Sequence, residues 1–147
     1  MTYTIYLSGE IHSDWRDQIK QEIVNRQLDI EILTPVTHHD QSDNVGIEIL
    51  GNEENSFWKD HKGAKINSLR TNHHISRADL VVIRFGDKYK QWNAAFDAGL
   101  AVGKGIPIIT LHSSELIHPL KEIDAAAIAV VKTPKQVIDI ISYILQD

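Results

Sequence analysis

The chain contains no cysteine. That excludes disulfides, a thiolate nucleophile and any cysteine-ligated metal, and it fits a reducing compartment. Long apolar runs are missing too: none approaches the ~20 residues of a membrane helix, so no membrane partner is expected. Met1 runs straight into a short apolar strand with no basic leader before it, so no signal peptide is expected and the expected location is the cytoplasm. Positive charge is scarce, with 15 Lys and Arg against 20 Asp and Glu and a net charge of −5. Nucleic acid is therefore not an expected partner, because phosphate neutralisation needs a clustered basic surface. The sequence has no GxGxxG and no GxxxxGK[ST], so neither a dinucleotide fingerprint nor a P-loop is present. It has no internal repeat and no low-complexity segment.

What remains is an ordinary globular composition: 147 residues, 42% hydrophobic and 24% charged. That length suits one domain spanning 1–147. Apolar, β-branched runs alternate with helical patterns. Tyr3–Ser8, Asp29–Leu33, Leu80–Arg84, Pro107–Leu111 and Ala126–Val131 read as strands. Asp14–Asn25 carries Trp15, Ile19, Ile23 and Val24 on one stripe and reads as a helix, with Ser13 or Asp14 as its cap. Ala64–Arg77, Trp92–Gly103 and Pro134–Leu145 read as further helices, the last with proline at its start. Leu116–Asp124 reads as a loop or short helix. The alternation predicts a three-layer α/β/α domain around a five-stranded parallel sheet in the flavodoxin-like order 2-1-3-4-5. Residues 35–63 stand apart as polar and rich in His and Asn, with apolar islands at Ile47, Ile49, Leu50, Phe57 and Trp58. That stretch is too long for an ordinary connection and predicts an insertion or lid.

The most informative stretch is Ala94-Ala95-Phe96-Asp97-Ala98-Gly99-Leu100-Ala101-Val102-Gly103. It is small and apolar apart from one carboxylate. Unpaired burial of an ionised group is costly, so Asp97 is expected to face the crevice at the carboxyl ends of the strands, where open α/β sheets bind ligands. The helix start favours its ionised form. Asn93 lies four residues earlier on the same face. The first strand-to-helix turn, Ser8-Gly9-Glu10-Ile11-His12-Ser13, supplies a glycine for close approach and two hydroxyls, with Arg16 just beyond. Such a turn can seat an anion or a ribose. Arg84 ends an apolar strand and either binds a phosphate or carboxylate or pairs with Asp87 or another acid. His38-His39-Asp40 and His73-His74 raise the question of a metal, but neither has a recognised ligand spacing, and no metal site or cofactor is expected.

Three separated blocks carry a resemblance. These are Tyr6-Leu7-Ser8-Gly9, Ile75-Ser76-Arg77-Ala78-Asp79-Leu80-Val81-Val82, and Phe96-Asp97-Ala98-Gly99 followed by Gly103-Lys104-Gly105-Ile106-Pro107-Ile108-Ile109. In order and spacing they resemble the nucleoside 2-deoxyribosyltransferase superfamily, and the whole chain is identified as a member of its YtoQ family. The resemblance implies that Tyr6 and the turn from Ser8 contact sugar or nucleobase. It also implies that Asp97 stands where the transferases carry a nucleophilic Glu. The side chain here is one methylene shorter and would fall about 1 Å or more short of a pose built for Glu. The transferases carry a further Asp in the preceding helix, where this chain has Thr71-Asn72-His73-His74 and no acid. Gln91-Trp92 replaces their small hydroxyl or acid before the catalytic helix.

The resemblance and the residues together imply a nucleoside- or nucleotide-binding protein that either transfers or hydrolyses an N-glycosidic bond through Asp97. Tyr6, Ser8, Gly9, Arg16, Arg84 and Asn93 would bind the substrate. A non-catalytic nucleotide sensor is the alternative, and a metal-dependent hydrolase using His38, His39 and Asp40 a weaker one. The exposed apolar groups of 35–63, with the superfamily's habit of completing the site from a neighbouring subunit, imply a homodimer or larger oligomer.

Overall fold

The computed structural model describes residues 1–146. Five strands, β1 (Tyr3–Gly9), β2 (Ile30–Leu33), β3 (Leu80–Arg84), β4 (Ile108–Leu111) and β5 (Ala129–Val131), form one parallel sheet in the order β2-β1-β3-β4-β5. The chain reverses its winding between β1 and β3, which opens a crevice beyond their carboxyl ends.

The two faces of the sheet are covered by different helices, and strand parity decides what meets what. Ile5 and Leu7 of β1 and Leu80 and Val82 of β3 point to a core closed by α1 (Trp15–Asn25) and α6 (Pro134–Ile144), through Trp15, Ile19, Val137, Ile138 and Ile141. Tyr6, Val81 and Ile83 point the other way, against Ile75 of α3 (Ser56–Arg77) and Ala94, Ala98 and Ala101 of α4 (Trp92–Gly103). Alanines there let α4 lie close over the sheet. Parity also places Ser8 on the α4 face, two residues beyond Tyr6. α6 starts with Pro134 in its first turn, as expected, and with a capping box between Thr133 and Gln136.

Residues 35–63, expected as an insertion or lid, are largely helical. They contain α2 (His39–Leu50), and the helix expected from Ala64 begins already at Ser56, where the Asn55 side chain accepts from the Phe57 N–H at 2.8 Å. α2 and α3 cross where Gly46 meets Gly63: a Cβ on Gly46 would lie 2.6 Å from the Gly63 nitrogen. The Leu116–Asp124 region resolves into a 3₁₀ turn, Ser114–Leu116, and α5 (Lys121–Ala126), which shortens β5 at its start. Thr110 and His112 hold α5 to the sheet through Asp124, at 2.7 Å and 2.9 Å. Among the described residues no helix is long and apolar enough to cross a membrane.

Candidate functional site

A cleft of about 730 Å³ opens above the carboxyl end of β1, walled by α4 on one side and by α2 and α3 on the other. Its floor is Tyr6, fully buried, whose hydroxyl has no hydrogen-bond partner. Burial, then the field of Asp97, pushes this phenol up to about 12. Thr71 comes close without hydrogen-bond geometry and, with Arg70 and Arg16, offsets only part of that rise. The hydroxyl thus keeps its proton at neutral pH and is a donor without an acceptor, buried beneath the cleft floor.

Asp97 lies more than a turn inside α4, past the reach of the helix start. Ser8 Oγ donates to its Oδ2 at 2.6 Å. Burial raises the Asp97 pKa, and the bond from Ser8 opposes the rise. The sequence argument favoured an easily ionised acid; the structure supplies one whose charge is held chiefly by a serine. Oδ1 accepts no hydrogen bond from the described residues. Asn93, one turn earlier, and Phe96 line the same wall.

The first βα turn is arranged differently. Gly9 (φ +105°) is pressed against β3, where a Cβ would come within 2.1 Å of the Arg84 carbonyl oxygen. Its glycine serves this strand contact, although its backbone also borders the cleft. Arg16 is turned inward and does not line the cleft. Its guanidinium donates to the carbonyls of Leu7 (3.1 and 3.2 Å), Gly9 (3.2 Å) and Glu10 (2.6 Å). Arg84 is likewise not on the cleft wall. Its Nε lies 3.5 Å from Glu10 Oε2, within ion-pair reach though outside hydrogen-bond geometry. The acid it meets is Glu10, while Asp87 accepts from Ser113.

Tyr6, Gly9, Asn93 and Asp97 therefore share the cleft, with Ser8 just behind, and Arg16 and Arg84 are engaged elsewhere. Sequence reasoning missed Glu10 and the α3 wall of Ala64, Asn67, Ser68, Arg70 and Thr71. The helical spacing of that wall is a readable signal, because 64, 67, 68 and 71 repeat at three and four. His12, His39 and Tyr89 cluster at the cleft, with ring centroids 5.7 Å apart for His12–His39 and 4.9 Å for His12–Tyr89. His38 and Asp40 are exposed at the start of α2, and among the described residues no three His, Asp or Glu groups converge as metal ligands. His74 meets the Tyr6 ring edge-on at 6.2 Å. Burial, with Arg70, His73 and Arg77 nearby, lowers its pKa.

Residues 6–145 match the family described as nucleoside 2-deoxyribosyltransferase YtoQ. The chain is 44% identical over 146 residues to the uncharacterized protein YtoQ of Bacillus subtilis (strain 168), covering 99% of each. Two solved structures share the fold. One is a 2-deoxyribosyltransferase from the psychrotolerant bacterium Bacillus psychrosaccharolyticus (TM-score 0.58, 21% identity, 91% of this chain and 89% of that one). The other is a conserved protein from Enterococcus faecalis V583 (TM-score 0.66, 16% identity, 99% and 100%). The chain belongs to the YtoQ family of nucleoside 2-deoxyribosyltransferase-like proteins.

Proposed function

We propose that this YtoQ-family chain binds a nucleoside or nucleotide in the cleft and breaks its N-glycosidic bond through Asp97, acting in the cytoplasm without metal or cofactor. The observation that carries the reading is the pair of unsatisfied groups on one wall: Asp97 with one oxygen held by Ser8 and the other free, and beside it the unpartnered Tyr6 hydroxyl. A carboxylate positioned with one free oxygen can attack an anomeric carbon. Oδ1 forms a bond to C1′ as the C1′–N bond breaks. The bonding pair leaves with the base, which takes a proton from water. Water or a second base then attacks C1′ and frees Asp97, giving hydrolysis or transfer. Ser8 fixes the carboxylate, Tyr6 donates to a sugar oxygen, and Asn93 orients sugar or base. The Ser8 bond sets the direction of the shorter acid.

A binding-only reading rests on a separate observation. The α3 wall beside Tyr6 offers Asn67, Arg70 and Thr71, and the carboxylate that α3 does contribute to the cleft, Asp60, stands about three helical turns from Thr71. One experiment separates the two. The pure protein is incubated with nucleosides, nucleotides and free bases, and retained ligand and released base are read by mass spectrometry. Base release that vanishes in Asp97→Asn supports the enzyme. Retention without release supports the sensor. Neither retention nor release rejects both.

The arm of α2 and α3 acts as the cover of the cleft and as an assembly surface. Ile49, Leu50, Phe57 and Trp58 are all exposed there, and Trp92 and Phe96 add exposed aromatics on α4. Groups of this size mark a contact surface, and the reading here is a homodimer or larger homo-oligomer.

A further inference from the structure

We propose that Glu10 is an internal anion that fills the seat the first βα turn would otherwise offer to a phosphate, so that the cleft takes unphosphorylated nucleosides and turns away their 5′-phosphates. Its second half rests on the nucleoside reading above; the filled seat does not.

The turn that follows the first strand of such a sheet normally presents backbone N–H groups to an anion. Here two of those donors, at His12 and Ser13, are already used. Glu10 Oε1 accepts from the backbone N–H of Ser13 at 2.9 Å and from that of His12. Oε2 accepts from Ser13 Oγ and faces the Arg84 guanidinium. Two backbone donors, a hydroxyl and a guanidinium are the donor set of a phosphate site, converging on a carboxylate of the chain itself.

The arrangement is built to stay. Glu10 is 7% exposed. Its carbonyl is clasped by Trp15 Nε1 at 2.7 Å and Arg16 Nη1 at 2.6 Å. Its own N–H donates to the Arg84 carbonyl at 3.0 Å. Gly86 leaves room for the side chain, since a Cβ there would come within 2.7 Å of Glu10 Cγ. Burial alone would raise the carboxyl pKa. The bonds from Ser13 and His12 and the charge of Arg84 outweigh it, and the net shift is downward, so the group stays ionised at neutral pH. A phosphate brought to this turn would meet a fixed negative charge already seated on the His12 and Ser13 donors.

The test uses the intact protein, Glu10→Gln and Glu10→Ala, with inorganic phosphate, a nucleoside and its 5′-monophosphate as probes. In the wild type, phosphate at matched ionic strength should leave the melting temperature and the amide resonances of His12 and Ser13 unchanged. The nucleoside should bind about tenfold or more tighter than its monophosphate, as repulsion from one fixed charge predicts. In Glu10→Ala, phosphate should raise the melting temperature in a saturable way through binding linkage, and the monophosphate should gain relative to the nucleoside. Glu10→Gln keeps the shape and should lose the discrimination without fully opening the seat. Wild-type His12 and Ser13 amides that shift with phosphate, or a folded Glu10→Ala blind to it, overturn the filled seat. If neither nucleoside nor monophosphate binds the wild type, the nucleoside reading fails, and the phosphate response still decides the role of Glu10.

Discussion

The two ends of the cleft contain similar polar residues and treat them in opposite ways. In the first βα turn the charged groups are engaged: Arg16 donates to three carbonyls, and Glu10 accepts from three donors and lies within ion-pair reach of Arg84, whose Nε makes no hydrogen bond. At the Tyr6–Asp97 wall the groups are left short, with a buried phenol lacking a partner and a carboxylate half used. Buried polar groups are normally satisfied, so an orphan on a cleft lining is a group a ligand can satisfy. The charged residues that look most like ligand contacts in the sequence are the ones that hold the backbone together, and the aliphatic-looking helix carries the open site.

Asp97→Asn should produce the largest separation between the two ends. Base release should fall by about 10³ or more, roughly 4 kcal/mol of barrier, while the fold survives. Because burial raises the Asp97 pKa, the folded protein holds that proton longer than the unfolded chain, so its ionisation lowers stability as pH rises through the folded value. The amide should therefore melt at the same temperature as wild type or slightly higher near neutral pH. Base release should decline on acidification with a midpoint above the ordinary aspartate value of about 3.9. A profile flat down to that value would remove the attacking role.

Arg16→Met addresses the matched end. It leaves buried carbonyls at Leu7, Gly9 and Glu10 without their donor and should cost about 3 kcal/mol in urea unfolding. Ligand affinity of the folded fraction should hold. A variant that is fully stable but unable to bind would return Arg16 to the cleft wall.

Tyr6→Phe removes a hydroxyl that bonds to nothing in the free protein, so stability should be unchanged or rise slightly. Nucleoside binding should weaken by about 1 kcal/mol, near fivefold, measured by calorimetry. Equal affinity in the variant would erase the contrast between orphaned and matched groups.

The smallest effect on the site itself is expected from replacing Phe57 and Trp58 together by serine. Both are already exposed, so the monomer fold should persist while light scattering shows a lower mass. A wild type that is a clean monomer at high micromolar concentration would reject the assembly.

Strand alternation, the alanine-rich helix with its single acid, and the glycine that ends β1 were all readable in advance, because periodicity and residue size are local properties. The order β2-β1-β3-β4-β5 was readable as well, since parallel strands with short covered crossovers allow few arrangements. The α2 helix was not. Its polar His- and Asn-rich sequence has weak local preference, and its place depends on Gly46 meeting Gly63 across two helices.

Sequence by itself put Tyr6, the turn from Ser8 and Asp97 at the carboxyl edge of the sheet by strand direction, and the cleft lining brings Tyr6, Gly9 and Asp97 together there. Only the tertiary structure decided which charges are free. Glu10, Arg16 and Arg84 are all compatible with ligand binding on paper. Which partner each finds depends on atoms brought together from β1, β3 and the turn before α1, at distances no local pattern encodes. In a buried turn the nearest donor or acceptor wins, because an unpaired charge there costs more than any single contact elsewhere returns.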